Sequence, residues 1–76
     1  MMRAYGDLGG DSGIAGYEPG PDYIRIEFTN GTVYLYTDAS TGAEHVAEMK
    51  RLAVAGRGLN TYLNRWVRGR FARRER

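Results

Sequence analysis

The stretch Tyr23-Ile24-Arg25-Ile26-Glu27-Phe28-Thr29-Asn30-Gly31-Thr32-Val33-Tyr34-Leu35-Tyr36-Thr37 decides the fold. Both arms alternate with period two and are rich in β-branched and aromatic residues, the pattern of half-buried strands. Asn30-Gly31 between them is a strong hairpin signal, because a two-residue type I′ turn needs positive φ at both central positions. That turn sets a register in which Phe28 faces Val33, Glu27 faces Tyr34, Ile26 faces Leu35 and Arg25 faces Tyr36. Opposed residues share a sheet face. One face is then Ile24, Ile26, Phe28, Val33 and Leu35, a core face. The other carries Tyr23, Arg25, Glu27, Tyr34 and Tyr36. Exposed tyrosines beside Arg25 can stack nucleobases; equally, Tyr and Thr are ordinary strand residues on a face that another segment covers.

Around this hairpin the chain resembles the KTSC family, a short domain named for the C-terminus of some lysyl-tRNA synthetases and found also as a small stand-alone bacterial protein. The likeness runs from about Ser12 to Val67. It consists of Ser12 and Gly16-Tyr17, then Phe28-x-x-Gly31-x-x-Tyr34-x-Tyr36, then Ala53 followed by Gly56-Arg57-Gly58-Leu59-Asn60 and an apolar helix. The proline that usually follows the second tyrosine is missing. The family has no established activity. RNA binding is suggested for it by association with the synthetase, and this is what the resemblance implies.

Seventy-six residues make at most one domain with a modest core. There is no cysteine, so no disulfide, thiolate metal site or thiol nucleophile. No apolar run approaches a membrane span, and the first ten residues lack the apolar segment of a signal peptide. A soluble cytoplasmic protein is expected. The net charge of +2 conceals an asymmetry. Through Asn64 there are five Lys/Arg and eight Asp/Glu, giving −3; from Arg65 onward six Arg and one Glu give +5.

Glycines at 6, 9 and 10, with another just beyond at 13, predict a flexible leader over residues 1–11. Residues 12–69 form the domain, and residues 70–76 a basic tail. Residues 12–17 suit a short strand with Ile14 inward, and Glu18-Pro19-Gly20-Pro21-Asp22 a turn. Thr41-x-x-Glu44 fits a capping box opening a helix over residues 42–55, with Val46, Met49, Leu52 and Ala53 on one face. Gly56 suits a left-handed cap. Leu59, Tyr62, Leu63, Trp66 and Val67 predict a second helix with an apolar stripe against the sheet, and Phe71 continues it. The fold class is α+β: a small antiparallel sheet packed on two C-terminal helices.

The candidate sites are few. Arg65, Arg68, Arg70, Arg73, Arg74 and Arg76 suit phosphate contact, and arginine favours bidentate or stacking geometry. They equally suit a solubilising end. Gly56-Arg57-Gly58 before a helix offers amides to an anion, although a helix–helix turn needs those glycines anyway. His45 has no second ligand or nucleophile beside it. Trp66 and Tyr62 read as core. No nucleophile–base pair, carboxylate pair or metal set is visible, so an enzyme is not expected and no cofactor is implied. The leading expectation is a nucleic-acid-binding accessory module, RNA favoured, using Arg25, Tyr34, Tyr36, Arg57, Arg65, Arg68, Arg70, Arg73 and Arg74. The alternative is a homodimer or protein-interaction module that ignores nucleic acid. No membrane partner is expected.

Overall fold

A computed structural model describes residues 2–6 and 13–76 of the chain. The expected leader therefore falls partly outside the described residues, as do Asp7, Asp11 and Ser12. Among the described residues five strands run in the order of the sequence, each antiparallel to the next: β1 (Arg3–Ala4), β2 (Ile14–Pro19), β3 (Tyr23–Phe28), β4 (Val33–Thr37) and β5 (Arg73–Arg74). Between β4 and β5 come α1 (Asp38–Thr41), α2 (Ala43–Ala55) and α3 (Leu59–Tyr62), the last running straight into a π-helical turn over Leu63–Val67. The fold class is α+β, with the helices packed on one face of the sheet.

The β3–β4 register corrects the expectation by one residue. Glu27 faces Val33, Ile26 faces Tyr34, Arg25 faces Leu35 and Ile24 faces Tyr36. Phe28 N–H donates to Thr32 O (2.8 Å), so the loop is Thr29-Asn30-Gly31, three residues rather than two. Gly31 takes the left-handed position at φ 90°, as in a turn closed by a glycine bulge. The Asn30 side-chain oxygen accepts from Thr32 N–H at 3.0 Å. Asn-Gly is compatible with either loop; what separates them is the face that each buries. The observed register turns the large rings of Tyr34 and Tyr36 toward the helices with Ile24 and Ile26, and aromatic rings bring the greater apolar area. Val33 and Leu35 point to the other side.

A bulge in β2 does similar work. Ile14 pairs with Phe28, but Gly16 pairs with Glu27, so one extra residue lies between them. Ile14 and Tyr17, three apart, thus both reach the core. Gly16 also lets β1 approach: a Cβ there would lie 2.8 Å from the Arg3 carbonyl oxygen. Tyr5 is buried, its N–H donating to Ala15 O at 3.1 Å. The start of the expected leader is therefore part of the sheet and core.

The expected capping box at Thr41 and Glu44 is not formed. Thr37 and Ser40 cap α1 reciprocally instead. Gly42, at φ 109°, breaks the helix before α2. Thr41 is buried, and its hydroxyl donates to Arg70 O at 2.7 Å, fastening the C-terminal segment to the helical layer. Val46, Met49 and Ala53 are buried as the periodicity required, and Gly56 caps α2 in the left-handed conformation. In the last helix Leu59, Leu63 and Val67 are buried, but Trp66 is 54% exposed, contrary to its reading as core. The π turn accounts for this: its wider winding keeps positions four apart on one face and carries Trp66 off the stripe.

The C-terminal residues are built into the sheet as well. Ala72 N–H donates to Leu35 O and Glu75 N–H to Val33 O, both at 2.7 Å.

Candidate nucleic-acid interface

The two faces of the sheet have opposite chemistry. On the outer face Arg25 donates to Glu75 (2.6 Å) and to Glu18 (2.9 Å), Arg73 pairs with Glu75 (3.0 Å) and Arg76 with Glu27 (3.0 Å). The Arg25 guanidinium first, and Arg73 after it, hold the Glu75 carboxyl below its ordinary range. Arg25 also lies 4.8 Å from the Tyr23 ring centroid. This lattice crosses the face to which Val33 and Leu35 point, and both are nonetheless buried. Long charged side chains with apolar stems are suited to such cover. Arg25 is thus neutralised, and it sits on the opposite face from the tyrosines it was expected to assist.

On the inner face Tyr36 is 4% exposed and belongs to the core. Burial first, and the neighbouring Tyr34 second, push its phenol up to about 12. Little of its ring is open to solvent, and what is exposed borders a groove that Tyr34 also lines. Tyr34 is only half-buried. Its centroid lies 4.3 Å from that of Phe71 and 5.8 Å from that of Phe28, the latter edge-on at 77°. The three rings form a short aromatic strip along the hairpin.

Beside the strip lies this groove of about 310 Å³, floored by Tyr34, Phe28 and Phe71 with Tyr36 and Leu63 at its base, and walled by Asn60, Asn64 and Arg68. The fold places each part. The three-residue loop turns Tyr34 and Phe28 to this side. The turn after Val67, with Gly69 at φ 81°, brings Phe71 back over β4. The end of the last helix supplies the polar wall, where Asn64 Nδ2 donates to Asn60 O at 3.1 Å.

Arg65, Arg68 and Arg70 are exposed along this helix end and turn, and none has a carboxylate partner among the described residues. Arg65 lies 5.5 Å from the Trp66 ring centroid. Arg74 pairs with Tyr34 in the sheet and donates to Arg76 O at 3.2 Å. Arg57 is exposed in the turn between α2 and α3. The expected residues therefore separate. Tyr34, Tyr36 and Arg68 line the groove, Arg74 pairs with Tyr34 in the sheet, and Arg65 and Arg70 are exposed on the same helix end and turn as Arg68. Tyr36 is otherwise in the core, Arg25 and Arg73 lie in the outer lattice, and Arg57 stands apart at its turn.

In the glycine turn one amide is already taken: Leu59 N–H, at the helix start, donates to the Tyr5 hydroxyl at 3.2 Å. His45 Nδ1 and the Tyr62 hydroxyl are 2.6 Å apart, joining α2 to α3.

Sequence reasoning placed Phe28 and Phe71 in the core and did not single out Asn60 or Asn64. One signal was present: no acidic residue occurs between Glu48 and Glu75. Among the described residues no cluster of three or more potential metal ligands occurs, and no helix is long and apolar enough to cross a membrane. Comparison of the chain with family models, curated proteins and solved structures finds no match.

Proposed function

We propose that this chain is a small nucleic-acid-binding module whose arginine-lined groove side meets the phosphate backbone. The observation that carries the reading is the segregation of charge. Acidic side chains of β2, β3 and residue 75 take up Arg25, Arg73 and Arg76 on the outer face. Arg65, Arg68 and Arg70 stand on the other side without carboxylate partners among the described residues. A polyanion approaching that helix end meets cations that no ion pair among the described residues already occupies. The resemblance to the KTSC family, through Phe28-x-x-Gly31-x-x-Tyr34-x-Tyr36, favours RNA.

Fluorescence anisotropy with labelled single-stranded RNA, hairpin RNA and duplex DNA tests this over a salt series. Binding is expected to weaken with salt, with a log–log slope of about −0.7 per phosphate contacted on single strands. Arg65→Glu with Arg68→Glu and Arg70→Glu should abolish it at moderate salt. Absence of binding at low salt would sink the reading.

A second reading, a protein-interaction or homo-oligomerisation module, draws on the exposure of Trp66 (54%) and Val54 (70%). It predicts a dimer in sedimentation that Trp66→Ser dissociates, with indifference to nucleic acid.

A further inference from the structure

We propose that the aromatic strip is a base-stacking site for unpaired nucleobases, which makes the module selective for single strands over duplex. The inference rests on the nucleic-acid reading above and adds to it the part of the ligand that is recognised.

Three observations carry it. First, Phe28, Tyr34 and Phe71 are each half-buried rather than sealed, in a fold whose other inner-face rings, Tyr5, Tyr17 and Tyr36, are buried. Second, the strip has space on two sides. The groove of about 310 Å³ lies against Tyr34 and Phe71, and a second hollow of about 320 Å³ lies against Phe28, Tyr34 and the Thr29-Asn30 tip. Each is large enough to admit a base, so successive bases of a strand fit on either side of the Phe28–Tyr34 pair. Third, the wall matches what a base would need. Asn64, oriented by its bond to Asn60 O, presents a carboxamide, the group that pairs with base edges. Arg68 stands at the same groove without a carboxylate partner among the described residues, placed for the adjoining phosphate.

The selectivity follows from geometry. In a duplex the base faces are covered by their neighbours, so a site whose main offering is ring faces gains nothing from paired bases. Single strands can splay bases onto such rings, and stacking tolerates any sequence.

The test uses the full chain, with a labelled oligouridine, the same length of oligodeoxythymidine, and a duplex of matched charge. Single strands are expected to bind at least about tenfold more tightly than duplex, and Phe71→Leu or Asn64→Ala to remove most of that preference. Circular dichroism melting shows whether each variant remains folded. Because Phe71 also packs on the core, photocrosslinking of the unaltered protein to 5-iodouridine RNA gives an independent readout. Adducts are expected on Tyr34, Phe28 or Phe71. Equal affinity for duplex, or adducts confined to Trp66 or residues 73–76, would overturn the stacking site while leaving phosphate binding in place. No binding to any probe at low salt would overturn both.

Discussion

Tyr34 and Tyr36 lie two residues apart on one strand face and meet different surroundings. Tyr36 is closed in by the helical layer, whereas Tyr34 lies between Phe28 and Phe71 at the rim. The burial of Tyr36 has a titration consequence. Its folded pKa, about 12, lies above the ordinary value of 10.0. The folded state therefore favours the neutral phenol, and this contribution is fully present below pH 10. It is lost as pH rises through the folded value. Alkaline unfolding monitored by circular dichroism should accordingly coincide with phenolate appearance, and Tyr36→Phe should push the unfolding to higher pH. Tyr36→Ala removes a buried ring at a cost of about 3 kcal/mol or more. In a chain this small that rivals the whole stability margin of roughly 3–5 kcal/mol, so Tyr36→Ala should be largely unfolded at room temperature. A folded, cooperative Tyr36→Ala would refute the core assignment.

At the level of elements, the sequence made the existence of the hairpin plain, but the register read from its turn is wrong by one residue. The alternation of β3 and β4 was unambiguous, but Asn30-Gly31 serves a two-residue and a three-residue loop alike. The choice depends on which face of β4 the helices cover, information that resides in Val46, Met49 and Leu63 and not in the hairpin. The same dependence explains the capping residue. Thr41 looked like a helix start because Glu44 follows at the right spacing, yet its hydroxyl is held by a carbonyl 29 residues away. α2 was legible because its stripe and its Gly56 cap are local. The exposure of Trp66 was not, since a π turn leaves no spacing signal of its own. Residues 70–76 read as a tail because their partners, Val33, Leu35, Glu27 and Arg25, lie far back in the chain. Those partners make the segment acid-sensitive. The Glu75 carboxyl is held below its ordinary range by Arg25 and Arg73. Its ion pairs thus contribute above the ordinary carboxylate pKa and are lost as pH falls through the lower folded value. The pairs are partly solvated, so the effect is modest. Hydrogen exchange at the Ala72 and Glu75 amides should quicken as pH drops from about 6 to about 3, beyond the intrinsic pH dependence of exchange. Glu75→Gln should reproduce the loss at neutral pH, and unchanged protection would remove the ion pairs from the docking of β5.

Taken whole, the molecule sorts its charge by sheet face: an ion-paired lattice on one side, and on the other a helical layer whose end carries arginines beside half-exposed rings. A mildly acidic body and a basic end were readable from composition. Their arrangement was not, because it required knowing that three of the terminal region's charges, on Arg73, Glu75 and Arg76, join the outer lattice while Arg65, Arg68 and Arg70 do not. The same meander, among the described residues, leaves the sheet with two open edges, and both are short. β1 and β5 have two residues each, all exposed, and three of the four are arginine. Beyond β1 the margin of β2 ends in Pro19, which has no N–H to offer. An unpaired edge is a template on which further chains can add strand by strand into a fibril, and brevity together with charge is a recognised defence. Arg73→Val with Arg74→Val keeps strand propensity and removes that defence. Prolonged incubation of the double variant should give rising light scatter and thioflavin fluorescence under conditions where the unaltered chain stays clear. If the two behave alike, these arginines do not guard the edge. If they diverge, the arginines beside the groove have near neighbours with an older duty, keeping each copy of the fold from becoming the next strand of another.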